Sequence, residues 1–402
     1  MKYQSRRLRR FFLTLLLIAA PALSFADTPD IDISLVSIGP GAPIYVWFGH
    51  TAFVITDHAS GREYFINFGL VDFSAEEFYL NFVLGKLFFM VGASDSNWEI
   101  RNYQAQDRFI TRQYLNLTDS QKNELYGLIR ESLKKENRVY RYDHYYDNCA
   151  TKPRDLLDKT LDGALRAANE GPSGLSIREQ TRRYTQNHPF VQWWLMYGQG
   201  GVIDGEASVW DSMFLPLEFH NAVARVPGLV EREETLYEKD LDIPDRPENL
   251  RYLLYPFLAG MLLIPLPLAA RRWKRIKSLS LISSVYEQIL LALIGLLGAI
   301  LLFLIFFTEH TVVAYNFNAL LNPVVTLVPL FLPGKLRLKS RRFTWSVLWG
   351  IAAVMTLIQP VFVHKNLNII LFFLPVYTVL GGIPLIKSVL KRFKTRSMLK
   401  TA

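Results

Sequence analysis

Five apolar runs in the last third of the chain constrain its fold more than any other feature. A helix needs about 20 predominantly apolar residues to cross a bilayer, and each run is near that length. The third run is short and contains Pro323, Pro329 and Pro333. We expect an all-α bundle of about five transmembrane helices over residues 251–390. The runs cover approximately 252–270, 283–307, 319–333, 344–363 and 367–386.

Basic residues are concentrated in alternate connections between these runs. Two of the connections, 271–277 and 335–342, contain five Lys or Arg residues each. The C-terminal segment, 387–400, contains six. The remaining connections, 308–318 and 359–366, contain one lysine between them. Because basic loops stay on the cytoplasmic side, this pattern predicts that residues 27–250 lie outside and that the basic tail, 391–402, lies in the cytoplasm.

The first 26 residues have the pattern of a secretory signal peptide. A basic start is followed by an apolar segment, 11–20, that is too short to span a bilayer. Ser24-Phe25-Ala26 resembles a small-residue cleavage site. An uncleaved anchor is the alternative. Either interpretation predicts that the following residues are exported, which agrees with the orientation from the basic loops.

The middle of the chain is acidic, although the whole chain has a formal net charge of +9. Residues 27–250 contain 22 basic and 34 acidic side chains, a net charge of −12. A polyanion would be repelled by this part of the chain. The charge distribution therefore argues against a nucleic-acid partner.

Residues 27–227 combine the periodicities of strands and helices, which predicts an exported α+β domain. Residues 228–250 are acidic and contain proline, and we expect them to form a tether to the membrane bundle. The predicted strands are 31–38, 44–56 and 63–68, residues 137–148 are predicted to be extended, and the predicted helices are 74–84, 118–135 and 150–160.

One cysteine and one histidine are the candidates for chemistry in this domain. Cys149, the single cysteine of the chain, precedes the predicted helix 150–160. Backbone N–H groups and the helix dipole favour a thiolate there, so we expect a lowered pKa for this thiol. A thiolate nucleophile needs a base, and His50, inside a predicted strand, is the best candidate. Taken singly, each residue is more typical of a structural position than of a catalytic one.

Other arrangements of site residues are less consistent with the sequence. His144, Asp147 and Cys149 could be read as metal ligands, but no second cysteine or closely spaced histidine supports that interpretation. Phosphate-loop, dinucleotide and serine-hydrolase motifs do not occur in the sequence. The sequence therefore predicts neither a metal nor another cofactor.

Three segments together resemble the Lnb N-terminal periplasmic domain family. They are Phe48-Gly49-His50-Thr51-Ala52, then Ile66-Asn67-Phe68-Gly69, and finally Tyr142-Asp143 with Asn148-Cys149-Ala150-Thr151. The resemblance covers about residues 31–225 and extends to a membrane tail of several helices. It implies a circularly permuted papain or NlpC/P60-like fold. It also implies a bacterial inner-membrane protein whose N-terminal domain lies in the periplasm.

The resemblance assigns roles to particular residues. Cys149 would be the nucleophile, and His50 would be its acid and base. Asn67 would hold the imidazole in its working tautomer, with Asp72 as an alternative. The oxyanion would be met by the backbone N–H of Cys149, with Tyr142 or Asn148 as an additional donor.

The activity that the resemblance implies is N-acylation of bacterial lipoproteins from a phospholipid donor, through an acyl-thioester on Cys149. A membrane-tethered NlpC/P60-like cell-wall amidase or peptidase would use the same residues. A non-catalytic membrane scaffold is a third hypothesis. Five spans are more than a cell-wall hydrolase needs for anchoring. They favour a lipid substrate, because two acyl chains hold such a substrate in the bilayer and the catalyst must act at the membrane surface.

Polar residues in the outward connections are a candidate substrate rim. The first such connection, 308–318, contains Glu309, His310, Asn316 and Asn318. Ordinary interfacial polarity is the alternative explanation for them. The sequence leaves the oligomeric state open.

Overall fold

The structure is a computed structural model, and it describes residues 30–71, 77–273, 275–359, 361 and 364–401. The predicted signal peptide, 1–26, lies outside the described residues, and so does Asp72.

The N-terminal region is a mixed α/β domain. The strand predicted at 31–38 is confirmed, and the helix predicted at 118–135 is confirmed as Asp119–Leu133 with Thr118 as its N-cap. In chain order the strands and helices are β1 (Ile31–Ile38), β2 (His50–Asp57), β3 (Arg62–Leu70), α1 (Phe78–Leu84), β4 (Phe88–Asp95), α2 (Ser96–Ala105), β5 (Ile110–Leu115), α3 (Asp119–Leu133), β6 (Val139–Arg141), α4 (Thr151–Thr160), α5 (Ala164–Ala167), β7 (Pro172–Ser176), α6 (Ile177–Thr185), α7 (Pro189–Gly198), β8 (Glu206–Ser208), α8 (Val209–Ser212), α9 (Pro216–Ala224) and β9 (Val230–Tyr237).

Seven strands form one antiparallel sheet in the order β6-β4-β3-β2-β1-β5-β9. The central strands β1, β2 and β3 follow each other in sequence and are joined by short connections. A second, two-stranded sheet pairs β7 with β8. The central position of β2 matters for function, because His50 is its first residue.

Both faces of the large sheet are covered. On one face, Phe53 and Ile66 pack with apolar residues of α3, α4 and α9. On the other face, Val54 and Phe65 pack with Tyr103 of α2. Because side chains alternate along a strand, even-numbered residues of β2, including His50, face α2.

The expectation of a simple acidic tether over 228–250 is wrong for part of that segment. Residues Val230–Tyr237 form β9, an edge strand paired with β5. Most of its residues are exposed, so charged side chains are tolerated on it. The acidic composition of this segment therefore did not indicate that it forms a strand.

Two other predicted extended segments are shorter in the structure. Within 44–56, residues Ile44–Val46 form a 3₁₀ turn, and the strand begins only at His50. Within 137–148, only Val139–Arg141 pairs as a strand. The chain then makes a tight turn that is closed by a β-bridge between Asp143 and Asp147.

The C-terminal region is helical throughout most of its described length. A π-helical turn, Thr378–Gly382, joins its last two helices. In chain order the helices are α10 (Leu250–Met261), α11 (Pro265–Arg272), α12 (Lys277–Phe307), α13 (Asn318–Leu321), α14 (Val328–Phe331), α15 (Gly334–Ile358), α16 (Leu367–Tyr377) and α17 (Ile383–Thr401).

Three helical segments in the described part of the chain are long and apolar enough to cross a membrane. They are Leu250–Arg272, Lys277–Phe307 and Leu367–Thr395. The predicted third run is instead divided into short helices, because its prolines lack the N–H group that a continuous helix needs. A total of five spans therefore stays a prediction.

Candidate active site

The pairing of β2 with β3 places two of the predicted site residues on one face of the sheet. Ala52 pairs with Asn67, and His50 lies two residues before Ala52. Side chains two residues apart on a strand point the same way, so His50 and Asn67 are neighbours on this face. Gly49 has a φ of 87°, and a Cβ there would lie 2.6 Å from the carbonyl oxygen of Ile38. The entry into β2 therefore requires glycine.

A β-bulge follows Asn67 and opens space beside the imidazole. The register between β3 and β4 shifts between Asn67 and Leu70. In this bulge the Gly69 N–H donates to Asn67 Oδ1 at 2.7 Å. A Cβ on Gly69 would lie 3.0 Å from His50 Cε1, 3.4 Å from Cys149 Cβ and 3.5 Å from Asn67 Oδ1. His50, Asn67 and Cys149 therefore meet around Gly69.

The N-terminus of α4 presents Cys149 to this point. Asn148 caps the helix by accepting two backbone N–H groups and fixes the preceding turn by donating to two carbonyl oxygens. Its hydrogen bonds are Ala150 N to Oδ1 (2.7 Å), Thr151 N to Oδ1 (2.9 Å), Nδ2 to His144 O (2.7 Å) and Nδ2 to Phe214 O (2.8 Å). Both amide hydrogens of Asn148 are thus in use. We correct the expectation that Asn148 donates to an oxyanion and assign it a positioning role.

The backbone N–H groups of Thr51 and Cys149 lie near the Cys149 sulfur and favour its charged form. Burial nevertheless raises the pKa of the Cys149 thiol to about 11, because these donors and the charge of Arg108 do not offset its desolvation. The expectation of a lowered pKa is therefore wrong. The sequence showed the helix start but not the apolar surroundings of the thiol.

The imidazole of His50 is also neutral at rest. Burial, and secondly the positive charge of Arg108, lower its pKa to about 3, while a hydrogen bond with the Asn67 side chain acts in the opposite direction. Its Nε2 atom is buried and has no hydrogen-bond partner among the described residues. The imidazole is therefore held by Asn67 and keeps one nitrogen available for proton transfer.

Two tyrosines from the aromatic segment lie beside the thiol. The Tyr142 ring stacks on Phe89 at 4.0 Å, and the Tyr140 hydroxyl donates to the Phe68 carbonyl oxygen. Burial first, and then the negative charge that Cys149 would carry, raise the pKa of Tyr142 well above its usual value. Tyr142 therefore remains a protonated donor next to Cys149.

Arg108 is a site residue that the sequence did not indicate. It is 1% exposed, its Nε donates to the Gly39 carbonyl oxygen at 2.9 Å, and its guanidinium lies 5.0 Å from the centre of the Tyr103 ring. The His50 ring is 6.1 Å from the same tyrosine ring. A single arginine in a loop carries no motif, so only the folded structure reveals this buried positive charge beside the site.

The predicted rim residues lie at the contact between the exported domain and the membrane region. Glu309 pairs with Arg141 at 2.5 Å and with Lys86 at 3.3 Å, and its N–H donates to the Leu84 carbonyl oxygen at 2.8 Å. His310 follows directly, and its backbone lies against Gly85.

Asn316 and Asn318 are buried in the same contact. Each donates to the Tyr197 carbonyl oxygen at 2.9 Å. Their side chains are 5% and 0% exposed, so in this structure they join α7 to the membrane region instead of forming an open rim. The polarity of Asn316 and Asn318 could not show whether they lie in a buried contact or on an open rim.

His144 lies among aromatic rings. Its ring centre is 4.5 Å from that of Phe48 and 4.8 Å from that of Tyr145. Within the residues that the structure describes, no three His, Cys, Asp or Glu side chains lie close enough together to hold a metal ion.

Comparisons with known protein families match two parts of the chain. Residues 20–183 match the Lnb N-terminal periplasmic domain, and residues 248–393 match the Lnb transmembrane domain. No curated protein and no solved structure matches the chain. The two family matches lie in the order and at the positions of the exported domain and the membrane region.

Proposed function

We propose, on the premise that this chain belongs to the Lnb family, that it is a membrane-bound thiol acyltransferase that N-acylates bacterial lipoproteins from a phospholipid donor. One observation carries the proposal. His50, Asn67 and Cys149 come together around Gly69, although 99 residues separate the histidine from the cysteine.

In the first half-reaction, the Cys149 sulfur attacks the carbonyl carbon of a phospholipid ester. The thiol proton passes to His50 Nε2 as the S–C bond forms, because the resting thiol and imidazole are both neutral. The tetrahedral intermediate then loses the glycerol alkoxide, which takes the proton from His50. The products are a lysophospholipid and an acyl-thioester on Cys149.

In the second half-reaction, the α-amine of a diacylglyceryl-cysteine lipoprotein attacks the thioester carbonyl. The amine loses one proton to His50 as the C–N bond forms. The thiolate departs and recovers that proton from His50, which restores the neutral pair. The product is an N-acylated lipoprotein.

The donors around the sulfur suit the negative charge that forms during both steps. The backbone N–H groups of Thr51 and Cys149 favour negative charge on the sulfur, and the Tyr142 hydroxyl remains protonated nearby. Arg108 adds a fixed positive charge. Such groups act most strongly where water is excluded, and both His50 and Cys149 are partly buried.

The position of α1 supports a substrate in the bilayer. The Leu84 carbonyl oxygen at its end accepts the N–H of Glu309, two residues after the apolar helix α12 ends at Phe307. Four apolar side chains of α1 are exposed, namely Tyr79, Leu80, Phe82 and Val83. A short helix with such a surface, level with the end of a spanning helix, suits the interface where lipid esters lie.

The test uses cells without another N-acylating enzyme. Cys149→Ala and His50→Gln variants should leave lipoproteins with free N-termini by mass spectrometry, while His58→Gln, an exposed histidine paired with Asp32, serves as the control. Purified protein given a phospholipid should gain one acyl mass on Cys149 that hydroxylamine removes. Unchanged N-acylation in Cys149→Ala cells, or release of soluble fragments from muropeptides without thioester formation, would refute the proposal.

A further inference from the structure

A cavity between the exported domain and the membrane helices is separate from the active site. Its volume is about 450 Å³, and most of its lining is apolar. α7 contributes Phe190, Trp193 and Trp194. The site residues His50, Asn67 and Cys149 are not among the residues that line it. The cavity is therefore a second place where this chain could hold a ligand.

The cavity extends into the apolar depth of the membrane region. Ala259 lies nine residues after the start of α10, and Leu297 lies ten residues before the end of α12. At 1.5 Å per residue, both positions are about 13–15 Å from the ends of their helices that face the exported domain. An occupant can thus lie alongside the hydrocarbon layer.

The charged residues of the lining lie at the end that faces the exported domain. Arg251 and Glu248 line this end and form an ion pair at 3.2 Å, and both side chains are exposed. This end therefore offers one positive and one negative charge, whereas the remainder offers aromatic and aliphatic surface. A zwitterionic lipid has the same division between headgroup and acyl chain.

Two N–H donors in the wall of the cavity lack partners. Trp193 Nε1 and Asn368 Nδ2 are both buried without a hydrogen-bond partner in the part of the chain that the structure describes. Asn368 is 1% exposed, and its Oδ1 already accepts the Tyr252 hydroxyl at 2.8 Å. Buried donors are rarely left unsatisfied in proteins, so a carbonyl acceptor is expected there.

We propose that this cavity binds one zwitterionic diacyl phospholipid. Its ester carbonyl oxygens accept from Trp193 and Asn368, and one acyl chain lies beside Ala259 and Leu297. The headgroup phosphate meets Arg251, and its ammonium group meets Glu248. This binding does not depend on the chemistry of Cys149.

The experiment uses the full chain in nanodiscs with phosphatidylethanolamine that carries a photoreactive acyl chain. Labelled peptides from α7 and α10 are identified by mass spectrometry. Ala259→Phe should fill the cavity and reduce this labelling at least fivefold. Leu258→Phe is the matched control, because this neighbouring exposed position does not line the cavity and should label like the original protein.

Two further arms test how the lipid is recognised. A diether analogue lacks the ester carbonyl groups, so it should compete about fivefold less well than the diester lipid. Trp193→Phe keeps an aromatic ring but removes the N–H group. In this variant the diester and diether lipids should therefore compete more equally. Phosphatidylglycerol should compete less well than phosphatidylethanolamine because it lacks the ammonium group.

The outcomes separate this proposal from the acyltransferase proposal. Cys149→Ala should lose N-acylation and keep cavity labelling. Equal labelling of Ala259→Phe and Leu258→Phe would overturn the cavity proposal and leave the activity of Cys149 untouched. Equal competition by the diester and diether lipids would overturn the carbonyl contacts. Should Ala259→Phe fail to fold, the Trp193→Phe comparison still decides the question.

Discussion

Gly69 lies against the imidazole of His50 so closely that a Cβ at position 69 would stand 3.0 Å from Cε1. This distance is shorter than ordinary van der Waals contact, so a side chain at position 69 must displace its neighbours. The same Cβ would stand 3.4 Å from Cys149 Cβ. A glycine in the β3 bulge therefore sets the space in which His50 and Cys149 meet.

Replacing Gly69 by alanine should reduce acyl transfer strongly. The new methyl group requires its neighbours to move by a few tenths of an ångström, which displaces His50 relative to Cys149. Because a misplacement of about 1 Å can cost about 100-fold in rate, we expect a loss of about tenfold. Thioester formation on Cys149, followed by mass spectrometry, measures the effect. Gly127→Ala is the control, because nothing lies within 4 Å of a Cβ at that position on α3. Equal rates for the two variants would contradict the role given to Gly69.

Alkylation of Cys149 should be slow at neutral pH and rise with pH. Burial raises the pKa of this thiol from 9.0 to about 11, so the reactive thiolate fraction at pH 7 is about 100-fold lower than for an unperturbed thiol. Because the thiol pKa lies above the tested range, the rate with iodoacetamide should increase about tenfold per pH unit from pH 7 to pH 10. A plateau that begins near neutral pH would indicate a resting thiolate-imidazolium pair and contradict this prediction.

Replacing Asn148 by alanine should cost both stability and activity. The variant loses the cap of α4 and leaves two carbonyl oxygens without their donor, one in a buried and one in a partly buried position. We therefore expect a loss of about 2 kcal/mol in the free energy of unfolding. Thr118→Ala removes the N-cap of α3, which is exposed and far along the chain from Cys149. That control should lose about 1 kcal/mol and keep its activity. Denaturation and thioester formation are measured on the same preparations, and a fully active Asn148→Ala protein would argue against the positioning role.

A negative charge on α1 should weaken the reaction with lipids in a bilayer. Leu80→Glu places a carboxylate on the exposed apolar surface, where it opposes insertion at the membrane interface. The rate with phospholipid vesicles should fall about tenfold. Moving one charged group into an apolar layer costs at least the free energy that corresponds to a tenfold change in rate. The rate with a short-chain ester in solution should not change. Trp98→Glu, at an exposed aromatic position on α2, is the comparison, and an equal loss there would argue against an interfacial role for α1.

The sequence was most informative where one local rule decided the structure. The strand at 31–38 follows from alternation, and the N-cap of α3 follows from Thr118 and Gln121, which form a capping box. His50 and Cys149 could be selected because the segments around them resemble the Lnb N-terminal periplasmic domain. The two family matches confirm the resemblance that these segments indicated.

Local rules failed where partners remote in sequence decided the structure. The acidic segment that became β9 is a strand because β5 offers it an unpaired edge. Asn148 looked like a free donor, but carbonyl oxygens at positions 144 and 214 occupy its amide. In both cases a pattern of neighbouring residues could not show which partner, the edge of β5 or the two carbonyl oxygens, would decide the structure.

The sequence by itself determined which residues are the candidates for chemistry and where the chain can enter a membrane, because side-chain type and apolar length are local properties. Only the tertiary structure decided how the site residues are positioned and which protonation states they have at rest. The β3 bulge brings Gly69 against His50 and Cys149. Desolvation keeps both the Cys149 thiol and the His50 imidazole neutral at rest, and Arg108 further disfavours a charged imidazole. These features depend on distances and desolvation, which exist only after segments far apart in the chain have packed together.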